Sequence, residues 1–337
     1  MLSEQLASLL QPIQHMLSAA GVALTPVRGD EQPAAPVIHS AEASILPKST
    51  QIILGGGGFL DELIWKEKSD DPDTNKLSMH GKTVAYITFG LKDSEREASA
   101  ERRKKICERY GAEEFLHIGD PKQLNDEALV KEIKQKVKVF IFSGGDQDLL
   151  NDAWANTKAA EAHKEKSKNE SDAINVLISA SAQMASDIGF AENFDEESRP
   201  GKRDAARPPR LIKGMGLFHP LINAHINDLL GDKNDNPLDP EHRLCQMERA
   251  GEKTKRVIIG VDKKTAAIVD PNKKHIRIVS SYVGSKDQAQ ARVLWLQDNK
   301  LTIYRAGDGP GIPMEHWTKL HAAPSIAPIK EIGGATR

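Results

Sequence analysis

A serine pair after an apolar run is the feature of this chain best suited to covalent chemistry. Ser179-Ala-Ser-Ala182 follows the run Ile174–Ile178 and opens a short helical pattern. A serine on a tight strand-to-helix turn can offer its hydroxyl to a base and the next backbone N–H to an oxyanion. The pattern favours Ser181 over Ser179, because choosing Ser179 would put Leu177 at a position that is usually small. Alternatively, either serine simply caps the helix.

A candidate base lies some forty residues further along. The apolar pair Leu221-Ile222 predicts a strand whose end presents Asn223 and His225. A histidine at a strand end can act as general base towards a serine, and a carboxylate would orient its imidazole ring. Spacing alone does not choose among the carboxylates between serine and histidine, which are Glu192, Asp195, Glu196 and Glu197.

Two glycine-rich loops follow other apolar runs. Gln51–Leu54 leads into Gly55–Gly58, and Val137–Phe142 leads into Ser143-Gly-Gly-Asp-Gln147. Because ligands bind at the carboxyl ends of parallel strands, we expect these loops and the serine turn to form one site. The glycines are permissive backbone that could lend amides to an anion.

Other chemistries are disfavoured. The glycine run lacks the spacing of a dinucleotide or P-loop fingerprint, and no cluster has metal-ligand spacing, so neither a metal nor an organic cofactor is expected. Cys107 lies in a charged helical pattern and Cys245 in Arg243-Leu-Cys-Gln-Met247. Neither cysteine follows a strand with small neighbours, so a cysteine nucleophile is not expected.

Composition excludes several classes of partner. The 337 residues carry a formal net charge of -2, which gives no electrostatic case for nucleic acid. No apolar run reaches the length of a membrane span, and the first residues lack a basic leader region. Two cysteines are too few for a disulfide framework, so a cytoplasmic protein with reduced thiols is expected.

The middle of the chain alternates between strand and helix patterns. Strands are predicted over 51–54, 83–89, 115–118, 137–142 and 174–178, and helices over 94–110, 126–136 and 147–170. This alternation predicts an α/β fold with a mostly parallel, doubly wound sheet. The basic, proline-rich segment 199–210 is expected to be a solvated loop.

Three regions are predicted. Residues 1–48 form a helical arm and linker, 49–283 the α/β domain, and 284–337 a C-terminal β-hairpin extension and tail. Further strands are predicted over 257–260, 265–269, 275–279, 292–296 and 301–304, and the last two are expected to form an antiparallel hairpin. The arm is expected to be a packing or oligomer contact, and a homodimer is one assembly that it would suit.

Taken in order, these motifs resemble the cyanophycinase and dipeptidase E family of serine peptidases over about residues 50 to 270. Phe142-Ser-Gly-Gly-Asp-Gln147 is similar to the family's Phe-Thr-Gly-Gly-Asp-Gln, and Ser179–Gln183 to its Gly-Thr-Ser-Ala-Gly. Gly214-Met-Gly-Leu217 and Asn223-Ala-His225 resemble Gly-Leu-Gly-Leu and Asp-Gln-His. Gly260–Ala266 resembles Gly-Ile-Asp-Glu-x-Thr-Ala.

The resemblance implies a sheet like that of class I glutamine amidotransferases, and hydrolysis of a peptide bond at an aspartyl residue. In cyanophycinases that bond is a β-Asp-Arg linkage. The implied nucleophile, base and acid are Ser181, His225, and Glu196 or a neighbour. The implied substrate contacts and oxyanion amides are Asp146, Gln147, Asn223, Gly56, Gly57 and Ala182.

This chain also departs from the family pattern. Gln183 replaces a glycine, Asn223-Ala224 replaces Asp-Gln, and Lys263 replaces a glutamate, while Arg243 is the one distant candidate for the arginines that follow the family histidine. Two hypotheses follow: a serine peptidase acting on aspartyl peptides, and a catalytically inactive binding protein on the same scaffold. A third is a nucleotide-binding protein that uses Gly55–Gly58.

Overall fold

The structure is a computed structural model, and it describes part of the chain. The described residues are 23–24, 50–58, 61–65, 77–170, 172–191, 210–217, 219–226, 240–269, 275–281, 283, 291–298, 300–306 and 312–313. The predicted helix over 1–22 and nearly all of the basic segment 199–210 lie outside them.

Strands and helices of the described residues are numbered in chain order. The strands are β1 (Ala23–Leu24), β2 (Gln51–Gly55), β3 (Thr83–Ile87), β4 (Glu114–Ile118), β5 (Val137–Phe142), β6 (Ile174–Ile178), β7 (Ile188–Ala191), β8 (Arg210–Lys213), β9 (Leu221–Ala224), β10 (Ile258–Val261), β11 (Thr265–Val269), β12 (His275–Ser280), β13 (Arg292–Gln297), β14 (Lys300–Arg305) and β15 (Ile312–Pro313). The helices are α1 (Asp61–Ile64), α2 (Asp93–Arg109), α3 (Glu127–Gln135), α4 (Gln147–Trp154), α5 (Lys158–Asn169), α6 (Ala180–Gln183) and α7 (Pro240–Thr254), with a 3₁₀ turn at Pro121–Gln123.

The larger sheet has eight strands, in the order β15-β12-β11-β2-β6-β5-β3-β4. Every neighbouring pair from β2 to β4 is parallel, and β11, β12 and β15 add antiparallel strands beyond β2. The predicted α/β fold with a mostly parallel sheet is confirmed. The carboxyl ends of β2, β5 and β6 lie at one edge, as the strand pattern predicts.

Both faces of this sheet are buried, which explains why its strands are almost continuously apolar. Along β5, Phe140 and Phe142 pack into one core with α3, α4 and α5, while Val139 and Ile141 pack into a second core with α2. Alternate residues of a strand point to opposite faces, so one apolar run serves two cores. This arrangement is the doubly wound fold.

The predicted helix over 147–170 is two helices. It breaks after Trp154, where Asn156 takes the left-handed conformation with φ of 64°. Thr157 then caps α5, and its Oγ accepts a hydrogen bond from the Ala160 N–H at 3.2 Å. Asparagine tolerates a positive φ and threonine is a favoured N-cap, so Asn156-Thr157 was a boundary that the alanine-rich pattern concealed.

A second sheet of five strands has the order β1-β14-β13-β10-β9. The predicted hairpin is confirmed, since β13 and β14 pair antiparallel from Arg292–Arg305 to Gln297–Lys300. Strands β9 and β10 pair parallel, and β10 also pairs with β13. The boundary predicted between 283 and 284 stays a prediction, and this sheet takes strands from both sides of it.

No helix among the described residues is long and apolar enough to cross a membrane.

A buried ion pair joins the turn after β10 to the start of β13. The Asp262 carboxylate is fully buried and accepts hydrogen bonds from the backbone N–H and the side chain of Arg292, at 3.1 Å and 2.7 Å. Burial raises the pKa of Asp262 to about 6, although Arg292 opposes that shift. The folded carboxyl therefore binds its proton more tightly than the unfolded one does. Its contribution to stability is present below about pH 4 and is lost as the pH rises through about 6.

Removing Arg292 should destabilise the protein strongly at neutral pH. Arg292→Met leaves the Asp262 carboxylate buried without its partner, which costs about 3–5 kcal/mol of unfolding free energy. Because protonation relieves that cost, the loss should be smaller at pH 5 than at pH 7. Urea denaturation at both pH values measures this.

Lys134→Met is the matched control, since Lys134 pairs with Glu165 at 2.6 Å on the surface, where both side chains are about half exposed. Its loss should stay within about 1 kcal/mol. An equal loss for Arg292→Met and Lys134→Met would show that burial of the Asp262 pair carries no special cost.

Candidate active site

The chain makes a strained turn where β6 ends. Ser179 has φ of 59° and ψ of -118°, and its N–H donates to the Gly55 carbonyl at 2.8 Å. Non-glycine residues rarely take this conformation, which costs of the order of 1–3 kcal/mol and is concentrated at functional sites. The turn lifts the Ser179 side chain off the carboxyl edge of the sheet, where it stays partly exposed.

The Ser179 hydroxyl meets the ring of His225. Its Oγ lies 2.6 Å from His225 Nε2, a hydrogen-bonding distance. His225 follows β9 and also has a positive φ, 58°, while its N–H donates to the Gly56 carbonyl at 3.2 Å. The predicted position of the histidine at a strand end is thus observed, and it faces a serine.

Gly57 gives the imidazole ring the room it needs. A Cβ built on Gly57 would lie 2.2 Å from His225 Cε1 and 2.7 Å from Nε2, far inside van der Waals contact. Gly57 also has φ of 108°, which disfavours other residues. The histidine therefore packs directly on the backbone of the glycine run.

Ser181, the serine favoured from sequence, lies elsewhere. It is fully buried, and its Oγ accepts from the Ile178 N–H at 2.7 Å. The same hydroxyl lies 2.9 Å from the Ile178 carbonyl and 3.1 Å from the Phe142 carbonyl, to which it can donate. These bonds hold the turn together, and the hydroxyl facing His225 is that of Ser179.

The serine that faces His225 lies two residues before the one that the sequence favours, and this difference has a physical cause. The sequence pattern required a small residue at position 177 if Ser179 were the reacting serine. Leu177 instead packs into the main core and does not crowd the turn. The residue that must be small is Ser181, two positions after the turn, because it packs against the backbone of β5 and β6. The motif that fits the structure is Leu177-Ile-Ser-Ala-Ser181.

The loop after β5 forms the floor beneath Ser179. A Cβ on Gly144 would lie 3.0 Å from the Ser179 Cβ, so the glycine allows close contact. Asp146, predicted to bind substrate, instead caps α4: its carboxylate accepts from the N–H groups of Asp148 and Leu149 at 2.8 Å and 3.1 Å. The loop after β5 therefore packs against Ser179, and the Asp146 carboxylate caps the N-terminus of α4.

Two other predicted substrate contacts are buried in a chain of amide hydrogen bonds. Gln147 donates through Nε2 to Gln183 Oε1, and Gln183 Nε2 donates to Asn223 Oδ1 at 3.1 Å. All three side chains are at most 2% exposed, so the geometry does not support direct substrate contact by Gln147 or Asn223. The Gln183 side chain lies in this network, with its amide turned to Gln147 and Asn223 and not to the hydroxyl of Ser179.

The predicted oxyanion amides are also revised. The Gly56 N–H is used, donating to the Thr265 carbonyl at 2.9 Å, and Ala182 is fully buried inside α6. With Ser179 as the reacting serine, the next amide is that of Ala180, the first residue of α6, which has no partner within the helix. Gly57, the remaining predicted oxyanion amide, lies beside the imidazole of His225, and its role stays a prediction.

Glu196, with Asp195 and Glu197, lies outside the described residues, so the third member of a triad stays a prediction. Among the described residues, no group of histidine, cysteine and carboxylate side chains could hold a metal. Burial raises the pKa of Cys107 to about 12, which keeps that thiol protonated and unreactive.

Two lysines flank the glycine run on its outer side. The Lys264 N–H donates to the Gly57 carbonyl at 2.7 Å, and its Cγ lies 3.1 Å from a Cβ built on exposed Gly58. The Lys263 Cγ lies 3.9 Å from the same point. The stems of both lysines therefore lie beside Gly58, which follows the glycine that contacts His225.

No protein-family model matches this chain, and no curated protein sequence matches it. Among solved structures, a peptidase from an acI-B1 Actinobacterium is similar, with 19% identity and a TM-score of 0.54 over 77% of this chain and 95% of that one. A protein described as a peptidase E of Listeria monocytogenes EGD-e shows 13% identity and a TM-score of 0.45, over 68% of this chain and 98% of that one. The first likeness shows a shared fold.

Adding a methyl group at Gly57 should displace the His225 ring and leave Ser179 poorly activated. We expect Gly57→Ala to slow reaction with a serine-directed fluorophosphonate about 100-fold, as small misplacements of reacting groups do. Second-order labelling rates measured by mass spectrometry test this.

Gly81→Ala is the matched control. Gly81 also has a positive φ, 66°, but a Cβ there would meet no heavy atom within 4 Å. It shares the backbone strain without the clash, so its labelling rate should stay near that of the wild type. Equal slowing in both variants would mean that strain alone, and not the His225 ring, makes Gly57 necessary.

Proposed function

We propose that this protein is a serine hydrolase that cleaves peptide bonds, with Ser179 as nucleophile and His225 as general base. The observation that carries the proposal is the 2.6 Å contact between Ser179 Oγ and His225 Nε2 on a strained strand-to-helix turn. A serine is a weak nucleophile until a neighbouring base takes its proton, and this geometry supplies that base. The shared fold of the actinobacterial peptidase supports peptides as the substrate class.

The reaction follows from the placement of these groups. Ser179 Oγ attacks the peptide carbonyl carbon while its proton passes to His225 Nε2, and the amides of Ala180 and Gly57 bind the developing oxyanion. The protonated imidazole gives that proton to the leaving amine, and the C–N bond breaks. A water, deprotonated by the same nitrogen, hydrolyses the acyl–serine ester. Glu196 is the carboxylate proposed to orient the ring.

Aspartyl peptides are the proposed substrates. Lys263 and Lys264 border the site beside Gly58, and their charge would attract a carboxylate on the bound peptide. The resemblance to the cyanophycinase and dipeptidase E family points to the same substrates. A β-aspartyl bond is the finer possibility within this class.

The competing function is a peptide-binding protein that no longer cleaves. The substitution of a glutamine for the family glycine favoured it, because a bulky residue could have opened the turn. Gln183 instead bonds to Gln147 and Asn223, and the turn at Ser179 stays closed on His225. The hydrolase is therefore the better supported function.

Labelling decides which serine reacts. A fluorophosphonate should modify Ser179, and Ser179→Ala or His225→Ala should abolish both labelling and peptide hydrolysis. Ser181→Ala should keep labelling and lose about 1 kcal/mol of stability, because a buried hydrogen-bonding group is removed. Tryptic peptide mapping identifies the modified residue. Failure of the wild-type protein to react, with native stability, would make the binding protein the correct description.

Reversing the charge of Lys264 should change substrate preference. Lys264→Glu should lower kcat/KM for peptides with aspartate at the cleaved bond about tenfold relative to asparagine peptides, equivalent to about 1.4 kcal/mol. The control is Lys255→Glu, since Lys255 is also exposed and has a similar φ of 55°. An unchanged ratio of the two kcat/KM values in Lys264→Glu would exclude Lys264 as a determinant of specificity.

A further inference from the structure

A second pocket, of about 200 Å³, opens between α4, α5 and the segment after β8. None of its lining residues is Ser179, His225, Gly57 or Gly144, so it is separate from the serine–histidine pair. Pockets for drug-sized ligands are larger, about 300–1,000 Å³, so an occupant of this one must be small.

The pocket lining includes a buried imidazole, that of His163. His163 is 1% exposed, and its Nε2 lies 2.6 Å from Asn175 Oδ1. Since that oxygen accepts, Nε2 carries the hydrogen and Nδ1 keeps a lone pair. Burial lowers the pKa of His163 to about 4, so the ring is neutral at pH 7. His163 lines the pocket, and an imidazole nitrogen with a lone pair suits a hydrogen-bond donor on the occupant.

Two further lining residues, Asn151 and Glu161, offer hydrogen-bond acceptors. Asn151 lines the pocket, and its Oδ1 is buried without a hydrogen-bond partner. Glu161 also lines it and makes no ion pair with any described residue. A carboxylate near neutral acceptors favours a cationic donor such as an ammonium group.

The pocket lining also carries two lysines, Lys164 on α5 and Lys213 at the end of β8. Lys213 ends β8 and its Nζ donates to Asn156 Oδ1, and the Lys164 Nζ lies 2.7 Å from a Cβ built on Gly216. Neither lysine forms an ion pair within the part of the chain that the structure describes. Lys164 lies three residues after Glu161 on α5, so groups that suit the carboxylate and the ammonium of one zwitterion lie close together.

Apolar side chains supply much of the remaining lining. Trp154, Met184 and Met215 line the pocket together with Leu150. Methionine side chains adapt to occupants of different shape, and the indole ring adds a broad apolar face. The pocket thus offers acceptors, cations and an apolar centre within a small volume.

We propose that this pocket binds a free α-amino acid with an apolar side chain. The α-ammonium group faces His163 and Glu161, the α-carboxylate faces Lys164 and Lys213, and the side chain contacts Trp154, Met184 and Met215. The site rests on these residues alone and does not depend on the peptidase proposal.

Binding is tested on the full chain carrying Ser179→Ala, so that hydrolysis plays no part. Isothermal titration with L-leucine should give a binding isotherm. N-acetyl-L-leucine, which lacks the ammonium group, and L-leucinamide, which lacks the carboxylate, should each bind at least tenfold more weakly. Equal affinity for the three compounds, or no binding of L-leucine or L-phenylalanine, would overturn the proposal.

Variants and methyl NMR locate the site. Lys164→Gln and the exposed Lys213→Gln should each weaken leucine binding at least tenfold, while Lys168→Gln, an exposed lysine on α5 outside the pocket, should leave it unchanged. If Lys164→Gln does not fold, Lys213→Gln alone carries the test. Leucine should shift the ¹³C-methyl signals of Met184 and Met215. Binding that leaves both signals and both affinities unchanged would place the amino acid elsewhere and refute this site.

Discussion

Three successive glycine carbonyls hold the candidate active site together. The carbonyl of Gly55 accepts from the Ser179 N–H, that of Gly56 from the His225 N–H, and that of Gly57 from the Lys264 N–H. Three segments distant in sequence are thereby fixed to one short stretch of backbone. A side chain would prevent this at Gly56, where a Cβ would lie 2.0 Å from the Asp262 carbonyl oxygen. The glycine run serves as a scaffold for the chemistry, and a nucleotide site is not needed to explain it.

The buried ion pair of Asp262 and Arg292 also helps to hold the glycine run in place. Its backbone carbonyl packs against Gly56, while its carboxylate is held by Arg292 at the start of β13. The pair is expensive to bury, which the raised pKa of Asp262 reflects. It links the glycine run to the second sheet, so residues beyond 283 help to position the candidate site.

Much of the fold could be predicted because the parallel strands are buried on both faces and read as apolar runs. The break at Asn156-Thr157 and the identity of the serine that faces His225 could not, since both depend on a single positive φ that propensity does not reveal. His225 was predicted correctly as the histidine at a strand end. Gln147 and Asn223 were expected at the substrate, and the side chain of Gln183, by bonding to both, places them in the interior instead.

The serine and the histidine belong to different sheets. Ser179 ends β6 of the eight-stranded sheet, and His225 ends β9 of the five-stranded one. Their 2.6 Å contact is therefore a measure of how the two sheets are aligned. A shift of one sheet by a single ångström would separate the serine hydroxyl from the imidazole. Sequence changes confined to the second sheet can thus alter this contact while both side chains are retained.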